Sequence, residues 1–283
     1  MSARIKVAIG GINGRLGRAS AKVLLSSGEF ELVGAFGKEG APYVGTDIGQ
    51  LLGGPSTGSV VSANFDSMIS QVKPDVILEN SVSEQSVKIA KKALELGIRP
   101  VVGTSGIAEA DLESIGELAR KKKIGALVIP NFSVGAVLMM EFARQAGEFF
   151  TNVEIVEMHH TKKLDAPSGT AMHTVKKLAG ARDLYNEKEV EEHELLEGSR
   201  GGLGQSGVRV HSLRLPGLIS HQEVIFGSPG ELLTIRHDSF NMDCFLNGIL
   251  MSLRYVNKID HLVLGLDNVL GLAAARECSS AAR

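Results

Sequence analysis

Cysteine is scarce in this chain: Cys244 and Cys278 are the only two in 283 residues, which supports neither a disulfide framework nor a metal-ligand set. Net charge is nearly absent too. At −2 it gives no electrostatic reason to expect a nucleic-acid partner or a membrane surface. Long apolar runs are also missing. The most apolar region, Ala126 to Phe142, is broken by Pro130, Asn131, Ser133 and Gly135 and does not read as a membrane span. Near the N-terminus only a short apolar run follows the charges, too short for the core of a secretion signal, so a cytoplasmic location is expected.

What is present is ordinary globular composition, 43% hydrophobic and 22% charged, in a chain long enough for two domains. Ile5 to Ile9 reads as a buried strand and runs straight into Gly10-Gly11-Ile12-Asn13-Gly14-Arg15-Leu16-Gly17. From Arg15 the spacing of Leu16, Ala19, Val23 and Leu24 is helical. Strand, glycine turn and helix together are the setting of a dinucleotide-binding loop: Gly11 and Gly14 permit a tight turn against a pyrophosphate, and Gly17 permits close helix packing. The plainer reading is a structural glycine turn. Strands are then expected at Glu31 to Phe36, Asp75 to Leu78, Arg99 to Val102 and Ala126 to Ile129, with helices at Val87 to Leu96 and Asp111 to Lys121. This alternation predicts an α/β domain with a doubly wound parallel sheet of the Rossmann type.

Ligands of such sheets lie across the carboxyl ends of the strands, so the residues just after each strand are the informative ones. After the second strand come Phe36-Gly37-Lys38-Glu39. Gly37 leaves no acid for a free ribose 2′-hydroxyl and Lys38 is able to pair with a 2′-phosphate, which tilts the choice of cofactor towards NADPH over NADH. The alternative is a surface Lys38 with Glu39 on the ribose. After later strands come Glu79-Asn80-Ser81, Gly103-Thr104-Ser105-Gly106 and Pro130-Asn131-Phe132-Ser133, small polar groups suited to a nicotinamide or its ribose and equally suited to plain turns.

Past Asn131 the organisation changes. A helix is expected from Val134 to about Phe149, then a strand through Val153, Ile155 and Glu157 to His159. That strand leads into the stretch Glu157-Met158-His159-His160-Thr161-Lys162-Lys163-Leu164-Asp165-Ala166-Pro167-Ser168-Gly169-Thr170-Ala171. Two imidazoles and two ammonium groups precede a Pro-Ser-Gly-Thr turn where a helical pattern opens. Ser168, Gly169 and Thr170 stand where an N-cap belongs, with free N–H groups and the positive end of a helix dipole. Together these features suit a carboxylate or phosphate held from both sides. Singly, each has a plainer reading as cap, solvated lysine or structural histidine. Adjacent His159 and His160 point to opposite faces of a strand and neither cysteine is near, which argues against zinc; no metal is expected.

Glu187 to Glu197 has helical spacing and reads as a solvated acidic face, and Ser199 to Gly207 as a glycine-rich loop. Val208 to Leu213, Ile219 to Phe226 and Leu232 to His237 read as consecutive strands, with Pro216-Gly217 and Pro229-Gly230 as the turns between them. Such an open mixed sheet in a second, α+β domain needs its exposed face covered, so self-association is expected. Asn241 to Tyr255 is a helix expected to return to the first domain, and the Ala-rich tail after Leu272 is expected to be disordered. The resulting division is residues 1–131 with 241–283 for the dinucleotide and 132–240 for substrate and oligomerisation.

The stretch from Glu157 to Ala171 resembles the dihydrodipicolinate reductase family at every fixed position of E-x-H-H-x-x-K-x-D-A-P-S-G-T-A. Further matches are Gly11 to Gly17, Gly103 to Gly106, Asn131 to Gly135, Arg214 to His221 and Asn247-Gly248. The resemblance implies NADPH- or NADH-dependent hydride transfer to a cyclic, doubly carboxylated imine in lysine and diaminopimelate biosynthesis, by a homotetramer. It implies His159 as proton donor and Lys163 as the second essential group, with His160, Ser168, Gly169 and Thr170 on the carboxylates. The cofactor would lie on Gly11, Ile12, Asn13, Gly14, Arg15, Leu16, Gly103, Thr104, Ser105, Pro130, Asn131 and Phe132, with Lys38 added by the reading above. The chain departs from many members at Gly37, where they carry an acid, and at Glu79-Asn80-Ser81, where they carry Asp-Phe-Thr or Asp-Phe-Ser. Two rival readings stand beside this one: another small-acid or amino-acid dehydrogenase, and a non-catalytic NADPH-binding sensor.

Overall fold

The computed structural model describes residues 3–187 and 190–272. It divides into two compact units, one made of the chain up to Ser133 and from Phe245 onward, the other Val134–Cys244. The first runs β1 (Ile5–Gly10), α1 (Arg15–Leu25), β2 (Phe30–Phe36), α2 (Ile48–Leu51), β3 (Val61–Ser62), α3 (Phe65–Val72), β4 (Val76–Glu79), α4 (Ser83–Glu95), β5 (Arg99–Val102), α5 (Glu109–Lys122) and β6 (Ala126–Val128). The second holds α6 (Val134–Ala146), β7 (Asn152–His159), α7 (Gly169–Ala179), β8 (Gly202–Leu203), β9 (Arg209–Arg214), β10 (Ser220–Ser228) and β11 (Glu231–Ser239). The chain then completes the first unit with α8 (Leu246–Tyr255), β12 (Leu262–Leu264) and α9 (Leu266–Val269).

In the first unit, short apolar runs such as Val76-Ile77-Leu78 are buried along their length, as strands covered on both faces must be. They form a seven-stranded sheet in the order β12-β6-β5-β4-β1-β2-β3, with every ladder parallel. One core cluster joins Phe36, Met68, Ile77 and Ile89; another joins Leu94, Val102, Ile115 and Val128. From β1 the order departs one way to β2 and β3 and the other way to β4, β5 and β6, so the reversal point lies between β1 and β4.

Three details depart from the sequence reading. The segment after Gly37 contains α2, β3 and α3, none of which shows a long period. Asn64 caps α3, its side chain accepting from Ser67 N at 2.9 Å. At the other end β12 adds an unexpected edge strand beside β6. The acidic run expected as a helix carries none among its described residues 190–197, which are exposed; Glu192 instead pairs with Arg200 and Arg209. The Ala-rich tail after Leu272 lies outside the described residues.

The second unit's sheet is mixed and five-stranded, in the order β11-β10-β7-β9-β8. Pro229-Gly230 does close a hairpin, between β10 and β11. Pro216-Gly217 does not: β9 and β10 both pair with β7, which lies between them, parallel to β9 and antiparallel to β10. The alternation along β7 puts Val153, Ile155, Glu157 and His159 on the buried face, a polar pair at the end of an apolar row.

Candidate active site

The buried face of β7 ends in a polar cluster built on Glu157. Its carboxylate is fully buried and accepts hydrogen bonds from Arg214 Nη1 at 3.0 Å and Nη2 at 2.7 Å, from Ser168 N at 3.2 Å, and from His159 Nδ1 at 2.5 Å. Burial alone would raise the Glu157 carboxyl, but Arg214, Ser212 and His159 together hold it below the ordinary range. The two-nitrogen fork of Arg214 is what makes a buried carboxylate tenable. Register explains the meeting: the parallel ladder sets Arg214 opposite His159, and the guanidinium reaches Glu157 on the same face and Asp165 O at 2.9 Å.

Because Nδ1 of His159 is taken by Glu157, Nε2 is the ring nitrogen left for a ligand. Burial lowers the His159 pKa; Glu157 opposes this, while Lys163 and Arg214 push it further down. Below the ordinary value of 6.5 the unfolded chain takes up a proton that the folded imidazole resists, so this stability is present above 6.5 and lost as pH falls. His159→Gln is therefore expected to lose less melting temperature than wild type between about pH 7.5 and about pH 5.5. Parallel slopes in scanning calorimetry would remove this account of His159.

The other predicted residues gather around it. Lys163 Nζ is bound by Asp165 Oδ1 at 2.7 Å, and Lys163 N closes a turn onto His160 O at 3.1 Å. His160 Nδ1 is buried without a partner. Ser168 caps α7 with Oγ accepting from Ala171 N at 3.1 Å, and its N–H is given to Glu157, so much of its capacity is structural. Gly169, the first residue of α7, is open: a Cβ built there meets nothing within 4 Å. The Ala166–Pro167 peptide is cis. Cationic groups, a helix N-terminus and an oriented imidazole thus lie close together, an arrangement suited to a small anion. Among the described residues no cluster of metal ligands occurs.

In the first unit the parallel sheet brings the other predicted residues to one edge. Gly11 follows β1, Lys38 follows β2, Gly103 to Ser105 follow β5 and Pro130 to Phe132 follow β6. Gly11 has φ +71°, and a Cβ there would lie 2.8 Å from Asn80 O; a Cβ on Gly17 would lie 2.3 Å from Gly11 O. Both positions require glycine. Gly14 N donates to Gly11 O at 3.0 Å, closing the turn. The N-terminus of α1 has no side-chain cap and no acid in its first turn, while Arg15 adds a cation, which is how a helix end receives a pyrophosphate. These residues fit a dinucleotide. Asn13, Arg15 and Lys38 are exposed, Leu16 is half-buried, and the buried Ile12 side chain leaves only its backbone to the loop. Thr104 Oγ1 is committed to Ser81 O at 2.8 Å, and Asn131 Oδ1 accepts from Ser133 N at 2.9 Å.

Three groups escape sequence reasoning. Glu157 opens the motif, yet nothing local marks it as the hub, and Arg214 reaches it only through the β7–β9 register. Arg18, on α1, donates to Asn13 O at 3.3 Å and Leu51 O at 2.8 Å, bracing the glycine loop against α2.

Comparison with known proteins adds independent findings. Two family models, described as "Dihydrodipicolinate reductase, N-terminus" and "Dihydrodipicolinate reductase, C-terminus", match residues 5–132 and 135–270. The chain is similar to the 4-hydroxy-tetrahydrodipicolinate reductase of Bacillus licheniformis, 44% identical over 94% of this chain and 98% of that one. Among solved structures it is similar to the dipicolinate-bound dihydrodipicolinate reductase from Paenisporosarcina sp. TG-14, with 40% identity, TM-score 0.84 and coverage of 94% and 99%. An amine dehydrogenase from Mycobacterium smegmatis, at 15% identity and TM-score 0.67 over 94% and 96% of the two chains, shares the fold alone.

Proposed function

Since the chain belongs to the dihydrodipicolinate reductase family, we propose that it reduces 4-hydroxy-tetrahydrodipicolinate to tetrahydrodipicolinate with a reduced pyridine nucleotide. The observation that carries the reading is the Glu157–His159–Arg214 cluster, set beside Lys163 and the open N-terminus of α7. Residues 1–131 with 241–283 bind the nucleotide, and 132–240 bind substrate and associate.

The conversion takes up one hydride and one proton and releases water. When bound, the reduced nicotinamide supplies the hydride. The proton comes from His159 Nε2. Burial lowers the pKa of the free imidazole, and Lys163 and Arg214 add to that; a doubly carboxylated substrate offsets those two cations and so favours the protonated ring. Glu157 then steadies the imidazolium through Nδ1. Lys163, His160, Gly169 and Thr170 hold the carboxylates; Ser168 shapes their pocket by capping α7.

NADPH is the preferred cofactor on this reading. A Cβ on Gly37 would lie 2.4 Å from Tyr43 Cε2 and 2.8 Å from its hydroxyl, so the tyrosine ring fills the space an acid facing the ribose would need. Lys38, exposed beside it, meets the 2′-phosphate. Lys38→Ala is expected to raise KM for NADPH by roughly tenfold and to leave KM for NADH nearly unchanged. Equal effects on both would mean that Lys38 does not see the phosphate.

Self-association as a homotetramer is part of the proposal. On the second unit's sheet the face opposite His159 carries Val156, Leu213 and Ile225, lining a hollow of about 1050 Å³. A monomeric mass by light scattering would remove this part. The decisive assay follows absorbance at the nicotinamide band with purified protein, NADPH or NADH, and substrate made in place by its synthase from pyruvate and aspartate semialdehyde. Oxidation that needs both enzymes establishes the reaction. Nucleotide binding without turnover would favour the sensor.

A further inference from the structure

The carboxyl end of β4 carries buried polar atoms with nothing to bond. Both ends of the Asn80 amide, Oδ1 and Nδ2, are buried without a partner, and so is Glu79 Oε2. An amide unsatisfied at donor and acceptor alike is rare in a folded protein, because it has given up water and received nothing. The surrounding network does not include it. Ser81 N and Ser86 Oγ bond Glu79 Oε1, and Thr104 Oγ1 donates to Ser81 O.

The position of this amide is the informative part. β4 adjoins β1 at the point where the sheet order reverses, the place where an open parallel sheet takes its ligand. Asn80 N donates to Gly10 O at 3.2 Å, and its carbonyl oxygen is the atom a Cβ on Gly11 would strike. On its other side, a Cβ on Gly103 would lie 2.4 Å from Asn80 Oδ1 and 2.7 Å from Phe132 Cε2. The side chain therefore occupies room that only a glycine at 103 leaves free. Asn80 thus adjoins Gly11 through its backbone and Gly103 through its side chain, with Phe132 also against Gly103, three residues assigned above to the nucleotide.

We propose that Asn80 is a cofactor-positioning residue whose amide turns towards the nicotinamide-riboside half of the bound nucleotide and hydrogen-bonds its carboxamide or its ribose hydroxyls. A rotation about the side-chain torsions exchanges an unpartnered state for a partnered one, so the free protein holds the amide ready and the nucleotide satisfies it. The inference rests on the cofactor reading given above. It gives a role to the asparagine at a position where many family members carry an aromatic ring.

The test uses full-length wild type, Asn80→Ala and Asn80→Leu. Calorimetric titration measures Kd for NADPH, 2′-phospho-ADP-ribose and 2′,5′-ADP, and scanning calorimetry gives the melting temperature without nucleotide. Both substitutions are expected to raise Kd for NADPH about tenfold, to leave 2′,5′-ADP unchanged, and to leave the free protein as stable as before or more so. If 2′-phospho-ADP-ribose weakens as NADPH does, the contact is to the ribose; if it does not, the contact is to the carboxamide. Unchanged NADPH binding overturns the proposal. So does weakening of all three ligands with a lower melting temperature, the signature of a structural role. Failure of the wild type to bind NADPH or NADH would instead overturn the cofactor reading, with this proposal falling as its consequence.

Discussion

Lys163→Ala is expected to lower kcat/KM by roughly 10² to 10⁴, the range for removing a positioned proton-transfer or charge-stabilising group. The ammonium is mostly buried, held by Asp165 at 2.7 Å, and near enough to His159 to depress its pKa. On the proposed reading it acts both on a bound carboxylate and on the imidazole. The two actions separate in steady-state kinetics. Loss in KM alone marks a carboxylate clamp, and loss in kcat marks a group that matters in the transition state. An unchanged rate in a folded variant would sink the assignment.

Arg214→Ala is expected to destabilise the second unit by about 3 to 5 kcal/mol, because it strands Glu157 as a buried charge after removing its two-nitrogen partner. Arg214→Lys should recover little of this, since an ammonium lacks the planar fork. Replacing both residues, Glu157→Leu with Arg214→Met, should cost less than Arg214→Ala alone, since no unpaired charge is left behind. Denaturant unfolding followed by a probe in the second unit measures all three. A loss below about 1 kcal/mol for Arg214→Ala would place Glu157 in contact with water, contrary to its burial.

These two residues also mark how far a sequence can be read. The setting of Lys163 was legible because it is local: cations, a capping serine and a helix start fall within one fifteen-residue stretch. The glycine loop was legible for the same reason, and so were β1, β4 and β5, whose apolar runs are bounded by polar turns. Arg214 as the partner of Glu157 was not. Its distance from Glu157 is closed by strand register, and the register puts β7 between β9 and β10, whereas the Pro216-Gly217 turn suggests a hairpin. The acidic run before Glu197 shows the opposite error. Its helical spacing was real, but Val190, Leu195 and Leu196 stay exposed, and the Glu192 carboxylate went to Arg200 and Arg209. β12 has only three residues and no period to announce it.

That short strand has a consequence for how the protein is made. β6 is synthesised long before β12, with the whole second unit between them. At about 5–20 residues per second, a nascent chain carries β6 as an open edge for on the order of ten seconds before its neighbour leaves the ribosome. A growing polypeptide in that state offers a row of unpaired peptide groups to any other extended segment nearby. The nucleotide-binding unit is thus begun first and finished last, and its exposure to misassembly is set by translation time.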